Sequence, residues 1–136
     1  MKTLDQLSID EKLVASAIDE FPILFVAAAC ARGETQLTGA EELRHKESNR
    51  LVTMATNLRR LGISVELFKD GLTISGGDFK SGEIDAEGDH RVAMAFAVAS
   101  LRAEGVITID NGAEINTSFP NFFDVAETLG LRLSWV

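Results

Sequence analysis

The sequence has little of what disulfide-bonded, membrane-spanning or nucleic-acid-binding proteins require. It contains one cysteine, Cys30, so an internal disulfide is excluded and a reducing compartment is indicated. No run approaches the roughly 18 apolar residues of a membrane span, and the first residues lack the apolar core of a signal peptide. The net charge of −8 disfavours a general nucleic-acid surface. We expect a cytoplasmic protein with neither nucleic acid nor a membrane as partner.

The composition that remains is typical of a globular domain. Hydrophobic residues make up 46% and charged residues 25% of the 136 residues. A chain of this length buries roughly 68% of its unfolded surface, which is enough for one core. Cys30 lies in the apolar run "LFVAAACA", so we expect an inert core residue rather than a nucleophile.

Hydrophobic spacing divides the chain into alternating helices and short strands. Residues 20–32 and 47–61 have apolar side chains at helical spacing, and Gly33 and Gly62 stop these two helices. The other predicted elements are a strand in "TQLTG", a hairpin of "SVELF" and "LTIS" around Lys69-Asp70-Gly71, a polar loop over 76–87, a helix from Asp89 to Gly105, a strand in "VITID", a helix from Ser118 and Pro120 to Gly130, and a final strand in "LRLSWV".

The two halves of the chain resemble each other. "ARGETQLTG" and "RAEGVITIDNG" both follow an alanine-rich helix, at a spacing of about 70 residues. This spacing is longer than that of solenoid repeats and indicates duplicated supersecondary units. Each unit runs helix, strand, helix, strand, which predicts an α/β (α+β) fold with mixed sheets.

Three predicted helices begin with side chains suited to binding an anion or moving a proton. Helix N-termini present free N–H groups and a positive dipole end, which favour phosphate or carboxylate. Lys46 and Arg50 share one predicted helix face, so a planar fork and a point charge could contact the same ligand. The residues at these starts are Asp19 for the first helix, Lys46, Glu47 and Arg50 for the second, and Asp89, His90 and Arg91 for the third.

Each of these residues also has an ordinary structural explanation. Aspartates before helices are usually N-caps, a glutamate in a first turn favours the dipole, and cations on an exposed face are usually solvated. These explanations apply in turn to Asp19 and Asp89, to Glu47, and to Lys46 and Arg50; His90 fits a surface histidine. Only convergence of the three starts would favour a reaction that needs an acid, a base and anchors for several negative groups.

Three longer segments add a family resemblance. "SAIDEFPILFVAAACARGETQLTGAEELRHKESNRL", "GDHRVAMAFAVASLRAEG" and "TSFPNFFDVAETLGL" resemble the C-terminal part of the 5-enolpyruvylshikimate-3-phosphate synthase family. The resemblance runs from about Glu11 onward and leaves residues 1–10 poorly matched. It implies two domains, each of three βαβαββ units. The 136 residues would then be a single partial domain with about two of the six units, and the rest of the enzyme would be its missing partner.

The resemblance also implies a reaction. The enolpyruvyl group of phosphoenolpyruvate moves to the 5-hydroxyl of shikimate 3-phosphate, and phosphate is released, by addition and elimination through a tetrahedral intermediate. The shikimate pathway uses this step to make chorismate and aromatic amino acids. No metal or organic cofactor is required. Glyphosate, the family's inhibitor, occupies the site of phosphoenolpyruvate.

The family's functional residues transfer to positions in all three helix starts. By resemblance, Asp19 matches the proton acceptor that also contacts shikimate 3-phosphate, and Glu47 matches the carboxylate proposed to handle the methylene proton. Lys46 matches a shikimate 3-phosphate ligand. The remaining matches are Arg50 and Arg91 as phosphoenolpyruvate-binding arginines and His90 as an active-site histidine.

Two positions depart from the family pattern. Many members have Asp immediately before the arginine of "KES.R", where this chain has Asn49. Many also have a lysine that contacts phosphoenolpyruvate just before "SFP" or "TFP", where this chain has Thr117. We therefore expect no ligand at Thr117.

Three functional hypotheses remain open from the sequence. The first is the shikimate enzyme, with the chain alone inactive and, because strand edges are uncovered, prone to self-association. The second is the enolpyruvyl transferase of the same fold that acts on UDP-N-acetylglucosamine. The third is a non-catalytic module that keeps the fold.

Overall fold

The computed structural model describes residues 9–135, which form a mixture of short strands and helices. The strands are β1 (Glu34–Leu37), β2 (Ser64–Leu67), β3 (Leu72–Ser75), β4 (Gly82–Asp85) and β5 (Ile107–Asp110). The helices are α1 (Glu11–Val14), α2 (Phe21–Cys30), α3 (Arg50–Arg60), α4 (His90–Ala99), α5 (Ile115–Ser118) and α6 (Phe122–Thr128), with 3₁₀ turns at Ile18–Glu20, Glu41–His45 and Ser100–Arg102. This content confirms the predicted α/β class.

The strands form one antiparallel and one parallel sheet. The order in the antiparallel sheet is β1-β3-β2, and β2 and β3 form the predicted hairpin, with Leu67 opposite Leu72. The parallel sheet pairs β4 with β5. Helix α4 connects these two strands, since parallel neighbours require a crossover. The order α2–β1–α3 recurs as α4–β5–α6, with α5 inserted before α6 and without the closing strand that the sequence repeat predicted at 131–135.

Two apolar helices, α2 and α4, pack against each other in the centre of the molecule. Phe21 and Phe25 of α2 and Phe96 of α4 are buried in the same core cluster. Helix α3 packs on β2 and β4 and adds Leu58 to that cluster. Helices α2, α3 and α4 contact one another, and hydrogen bonds of Arg50 to Asp19 and Asp89 hold the segments that lead into them close together.

Two helix starts differ from the sequence prediction. Asp19 is not the N-cap of α2: it lies in a 3₁₀ turn, and Glu20 takes the N-cap position without a side-chain cap bond. Helix α3 begins at Arg50 rather than at residue 47, because Asn49 caps it by accepting a hydrogen bond of 3.3 Å from Val52 N. The amide of Asn49 thus performs the capping that an aspartate would perform.

Other helix boundaries agree with the sequence. Pro22 lies in the first turn of α2, where its missing N–H costs little. The Asp89 carboxylate caps α4 by accepting from Arg91 N at 3.1 Å and Val92 N at 3.5 Å. After α3, Gly62 adopts φ 86°, a conformation that favours glycine and ends the helix.

Three elements near the C-terminal half were predicted wrongly. The supposed loop 76–87 contains β4, whose polar sequence hid a strand that parallel pairing with β5 stabilises. Helix α6 begins at Phe122, since Ser118 ends the separate helix α5. Residues 131–135 form no strand; instead Trp135 stacks on Phe123 with ring centroids 4.8 Å apart.

Gly76 sits where the sheet leaves no room for a side chain. A Cβ there would lie 1.5 Å from the carbonyl oxygen of Ala31, whereas at Gly77 the nearest atom is 3.7 Å away. Gly76→Ala should therefore lower the free energy of unfolding by about 1–3 kcal/mol or more through overpacking. The neighbouring Gly77→Ala should change it by less than about 0.5 kcal/mol. Urea unfolding of both variants is the measurement, and equal losses would contradict this packing.

Candidate functional site

A buried arginine forms the centre of the site. The side chain of Arg50 is 1% exposed. Its Nε donates to Asp89 Oδ2 at 2.8 Å and its Nη2 to Asp89 Oδ1 at 3.2 Å, a bidentate pair. Nη2 also donates to Glu47 Oε2 at 2.8 Å, and Nη1 donates to Asp19 Oδ1 at 3.1 Å. One guanidinium therefore links three carboxylates from three separate segments.

Asp89 holds this arginine from the protein interior. Its side chain is fully buried, and besides Arg50 its Oδ2 accepts a hydrogen bond of 2.9 Å from the Ser48 hydroxyl. Burial alone raises the pKa of Asp89, but the hydrogen bonds from Arg50 and Ser48 and the charge of Arg50 outweigh it and lower that pKa. Asp89 thus stays ionised and joins the start of α4 to the segment that precedes α3.

On the solvent side, Asp19 lies between two cations. Lys46 Nζ is 3.3 Å from Asp19 Oδ1, the same oxygen that Arg50 contacts. Partial burial raises the pKa of Asp19, but the hydrogen bond and charge of Lys46 and the charges of Arg50 and Arg91 lower it overall. Lys46 also pairs with Glu42 Oε1 at 3.5 Å. The half-exposed Asp19 carboxylate is therefore ionised and open to solvent.

Arg91 joins the turn before α2 to the start of α4. Its Nη1 donates to the backbone oxygen of Asp19 at 2.9 Å and to Glu20 Oε1 at 3.1 Å. About a third of its side chain is exposed. A surface pair of this kind contributes little stability, so this guanidinium can exchange Glu20 for another anion at small cost.

The segment between the 3₁₀ turn Glu41–His45 and α3 is held by the β2–β3 hairpin. The Arg44 guanidinium donates to the backbone oxygens of Phe68 and Lys69, both at 2.7 Å. At the other end of the turn, Ala40 N donates to Asp70 O at 2.7 Å. These bonds fix the backbone that carries Lys46 and Glu47 toward the cluster.

Of the six residues that the family resemblance matched, the structure brings five together, namely Asp19, Lys46, Glu47, Arg50 and Arg91, with Asp89 beside them. Lys46 and Arg50 share no helix face, since Lys46 precedes α3 in an extended conformation; they meet on Asp19 instead. The solvated explanation for Arg50 is wrong, because its side chain is buried. The hydrogen-bonded cluster within residues 9–135 contains Glu47 and Arg91 but not the side chain of His90, which is half-buried at the start of α4.

Several partners in the cluster were not identified from the sequence. The sequence places Asp89 at a helix start, as a group for an anion or a proton or as an N-cap, but does not indicate its pairing with Arg50, and it does not single out Ser48, Glu20 or Glu42. The available signal was a small polar residue, Ser48, between Glu47 and the Asn49 that precedes a helix with one apolar face. A buried arginine requires such partners, but the sequence could not show that Arg50 is buried.

No other feature of the described residues competes with this cluster as a reactive centre. Among residues 9–135, no group of His, Cys, Asp and Glu is arranged to hold a metal ion. None of the helices in that range is long and apolar enough to cross a membrane. Burial raises the pKa of the Cys30 thiol, against an opposing effect of Arg102, so this residue is a poor nucleophile.

Lowering the pH should reduce the free energy of unfolding, partly because the carboxylates of this cluster become protonated. The pKa values of Asp19 and Asp89 lie below the ordinary value of 3.8, so the unfolded chain binds their protons more readily. Their stabilisation is present above about pH 4 and is lost as the pH falls through the folded-state pKa. Asp19→Asn should flatten the fall of unfolding free energy below pH 4, measured with urea at several pH values. Superimposable pH curves for the variant and the parent chain would contradict this contribution.

The three chain segments that form the cluster lie within a region that matches a known protein family. The family model for EPSP synthase (3-phosphoshikimate 1-carboxyvinyltransferase) matches residues 2–126, including all three segments. The chain belongs to the EPSP synthase family. The match begins at residue 2 and so extends into the first ten residues, where the sequence alone gave no clear match.

Bacterial EPSP synthases are similar over nearly the whole chain. A 3-phosphoshikimate 1-carboxyvinyltransferase of Methylococcus capsulatus is 55% identical over 97% of this chain, and one of Nitrosococcus oceani is 54% identical over 96%. The chain spans only 30% and 29% of these two relatives. It therefore corresponds to about a third of a longer EPSP synthase.

Solved structures agree with this assignment. An EPSP synthase from Acinetobacter baumannii superimposes with a TM-score of 0.91 at 48% identity, over 95% of this chain and 31% of that one. The enolpyruvyl transferase NikO from Streptomyces tendae superimposes with a TM-score of 0.70 at 20% identity, which shows the shared fold alone. The chain thus has the enolpyruvyl transferase fold that the family resemblance implied.

Proposed function

We propose that this chain forms part of the active site of a 3-phosphoshikimate 1-carboxyvinyltransferase, which transfers the enolpyruvyl group of phosphoenolpyruvate to shikimate 3-phosphate. The observation that carries the proposal is the meeting of Asp19, Glu47 and Asp89 on the single guanidinium of Arg50. This chain belongs to the EPSP synthase family, and its three carboxylates meet at one site. Acid–base groups beside cations are what this reaction requires.

The two solvent-facing carboxylates are the proposed proton carriers. Asp19 accepts the proton of the shikimate 5-hydroxyl as its oxygen attacks C2 of phosphoenolpyruvate. Glu47 takes up a proton from solvent and gives it to the methylene carbon, so that a tetrahedral intermediate forms with a new methyl group. In the second step Glu47 takes a proton back from this methyl group as the C–O bond to phosphate breaks, and the leaving phosphate takes the proton held by Asp19. About half of each carboxylate side chain is exposed, so a substrate can reach both groups.

The cations of the site would hold the negative groups of both substrates. Lys46 binds shikimate 3-phosphate from beside Asp19, and its side chain is 20% exposed. Arg91 and Arg50 bind phosphoenolpyruvate, and developing negative charge is stabilised by these preorganised guanidiniums. His90 is proposed as a further active-site residue, placed beside Arg91 at the start of α4. Thr117 lies exposed in α5 and carries no proposed ligand contact.

The chain alone should release no phosphate from the two substrates. It corresponds to about 30% of its relatives, and its proton-carrying groups lie half in solvent. Holding both substrates in register contributes ~7–11 kcal/mol to such reactions, and an open surface cannot supply that orientation. The rest of the enzyme is therefore the proposed partner. We also propose a cytoplasmic location, which the single cysteine of the sequence fits.

A chimera tests the proposed function directly. In the Methylococcus capsulatus relative, the segment that this chain matches is replaced by the chain, and phosphate release is measured with both substrates. Turnover within about tenfold of the relative supports the proposal. Loss of turnover in a folded chimera would refute it.

The acceptor separates the proposed enzyme from the related one. The family match favours shikimate 3-phosphate, so UDP-N-acetylglucosamine should give no phosphate release in the same chimera. Glyphosate should inhibit in competition with phosphoenolpyruvate. Release with the amino-sugar nucleotide alone would instead support the second hypothesis, and absence of release with either acceptor would favour the non-catalytic module.

The isolated chain should also associate with itself. Val106 is 79% and Leu129 73% exposed, and among the described strands all except β3 have a single neighbour, which leaves sheet edges unpaired. Open edges and exposed apolar residues favour association. Sedimentation velocity at increasing concentrations should show species larger than a monomer of 14.7 kDa. A single monomeric species throughout would contradict this expectation.

A further inference from the structure

We propose that Glu47, and to a lesser extent Asp19, occupies the positions on Arg50 that an incoming anion takes, so that anion binding and carboxylate release are one exchange. This inference rests on the proposed function for the identity of the ligand. It makes Glu47 a residue that sets ligand affinity, in addition to its proposed part in proton transfer.

The partners of Arg50 divide into an inner and an outer set. A guanidinium has five N–H donors. The guanidinium of Arg50 donates four hydrogen bonds, all to carboxylate oxygens. Two of these bonds go to Asp89, which is 0% exposed. The other two go to Asp19 and Glu47, whose side chains are 49% and 54% exposed. The outer set alone lies between the guanidinium and solvent.

Because carboxylates already hold most N–H groups of Arg50, an incoming anion must replace one of them rather than simply add to the guanidinium. A new anion finds at most one N–H of Arg50 without a carboxylate partner, so it must displace an outer carboxylate to form a bidentate contact. Asp89 cannot leave, because it is buried and also holds Ser48 and the first turn of α4. A half-exposed carboxylate can instead turn into water at small cost. A buried guanidinium remains paired throughout, which avoids the large cost of an isolated buried charge.

Of the two outer carboxylates, Glu47 loses more in the exchange. Asp19 keeps its ion pair with Lys46 at 3.3 Å when Arg50 turns to another anion. The ion pair found for Glu47 within residues 9–135 is the one with Arg50 at 2.8 Å. Anion binding at Arg50 therefore leaves Glu47 without its cation and free to move toward the bound ligand. Binding of the anion to Arg50 thus also releases Glu47, the proposed proton carrier.

Competition at Arg50 differs from ordinary repulsion between negative charges. Any nearby carboxylate opposes anion binding through the field, and removing one would tighten binding slightly and in a salt-dependent way. Contact competition is confined to the outer carboxylates, Glu47 and Asp19, whose oxygens accept from the N–H groups of Arg50 themselves. Glu41 provides the matched control: it is an exposed glutamate in the 3₁₀ turn of the same segment.

The experiment titrates the isolated chain, Glu47→Gln and Glu41→Gln with inorganic phosphate at constant ionic strength, and measures the dissociation constant by NMR. Glu47→Gln should bind phosphate about three- to fivefold more tightly, the upper range for a half-exposed pair. Glu41→Gln should bind as the parent chain does. In the parent chain, saturation should move the side-chain carboxyl carbon signal of Glu47 and leave that of Asp89 in place.

Three results would overturn the exchange. They are equal or weaker binding by Glu47→Gln, equal tightening in Glu41→Gln, and failure of both the parent chain and Glu47→Gln to bind phosphate. None of these results affects turnover by the chimera, so failure of the exchange is distinguishable from failure of the proposed function.

Discussion

Replacing Arg50 with methionine should lower the free energy of unfolding of the chain by about 3–5 kcal/mol. Arg50 is 1% exposed and pairs with the fully buried Asp89. Its removal leaves a buried carboxylate without a counter-charge, and breaking one side of such a pair costs about this much. Urea denaturation at neutral pH is the measurement, and the slope of the transition should remain that of the parent chain.

Two further variants isolate the cause. Arg60→Met, at an exposed arginine that ends the same helix, should change stability by less than about 0.5 kcal/mol. In the Arg50→Met background, adding Asp89→Asn should recover part of the loss, because asparagine still caps α4 and no charge is left buried. A loss in Arg50→Met no larger than in Arg60→Met would show that the cluster does not stabilise the fold.

Glu47→Gln in the chimera should raise the barrier of the enolpyruvyl transfer by roughly 3–5 kcal/mol. This corresponds to the 10²–10⁴-fold that acid–base catalysis usually contributes. Glutamine keeps the size of the side chain but lacks the charge and cannot exchange the proton. Because Glu47 is 54% exposed, the variant should fold as stably as its parent. The measurement is kcat for phosphate release at saturating concentrations of both substrates.

The kinetic constants should also separate the two roles assigned to Glu47. If its carboxylate competes for Arg50, kcat falls in Glu47→Gln while the KM for phosphoenolpyruvate stays level or decreases. Glu41→Gln should leave both constants unchanged. A kcat equal to that of the unsubstituted chimera would remove Glu47 from the mechanism.

The fold was largely predictable where the local sequence determines the structure. The apolar runs of α2 and α4 and the turn Lys69-Asp70-Gly71 each specify an element without help from distant residues. Strand β4 was not predicted, because its four residues form a ladder only with β5, about 25 positions later in the chain. The final segment shows the reverse error: its alternating apolar residues suit a strand, but Trp135 packs on Phe123 without a ladder.

The site was predictable in composition and only partly in geometry. Residue types at three helix starts indicated an anion and a proton transfer, and five of the six proposed residues lie in one cluster. The sequence could not show that Arg50 points inward to Asp89, because burial depends on packing between α2, α3 and α4. For the same reason it assigned Lys46 and Arg50 to a common helix face when an intervening carboxylate, Asp19, joins them.

The proposed function requires both substrates to bind at the carboxylate–guanidinium cluster around Arg50. A crystal structure of the Glu47→Gln chimera, soaked with shikimate 3-phosphate and phosphoenolpyruvate, tests it most directly. We expect phosphoenolpyruvate oxygens within hydrogen-bond distance of Arg50 and Arg91, and the shikimate 5-hydroxyl beside Asp19. Substrates bound elsewhere, with the Arg50 cluster still closed by its own carboxylates, would contradict it.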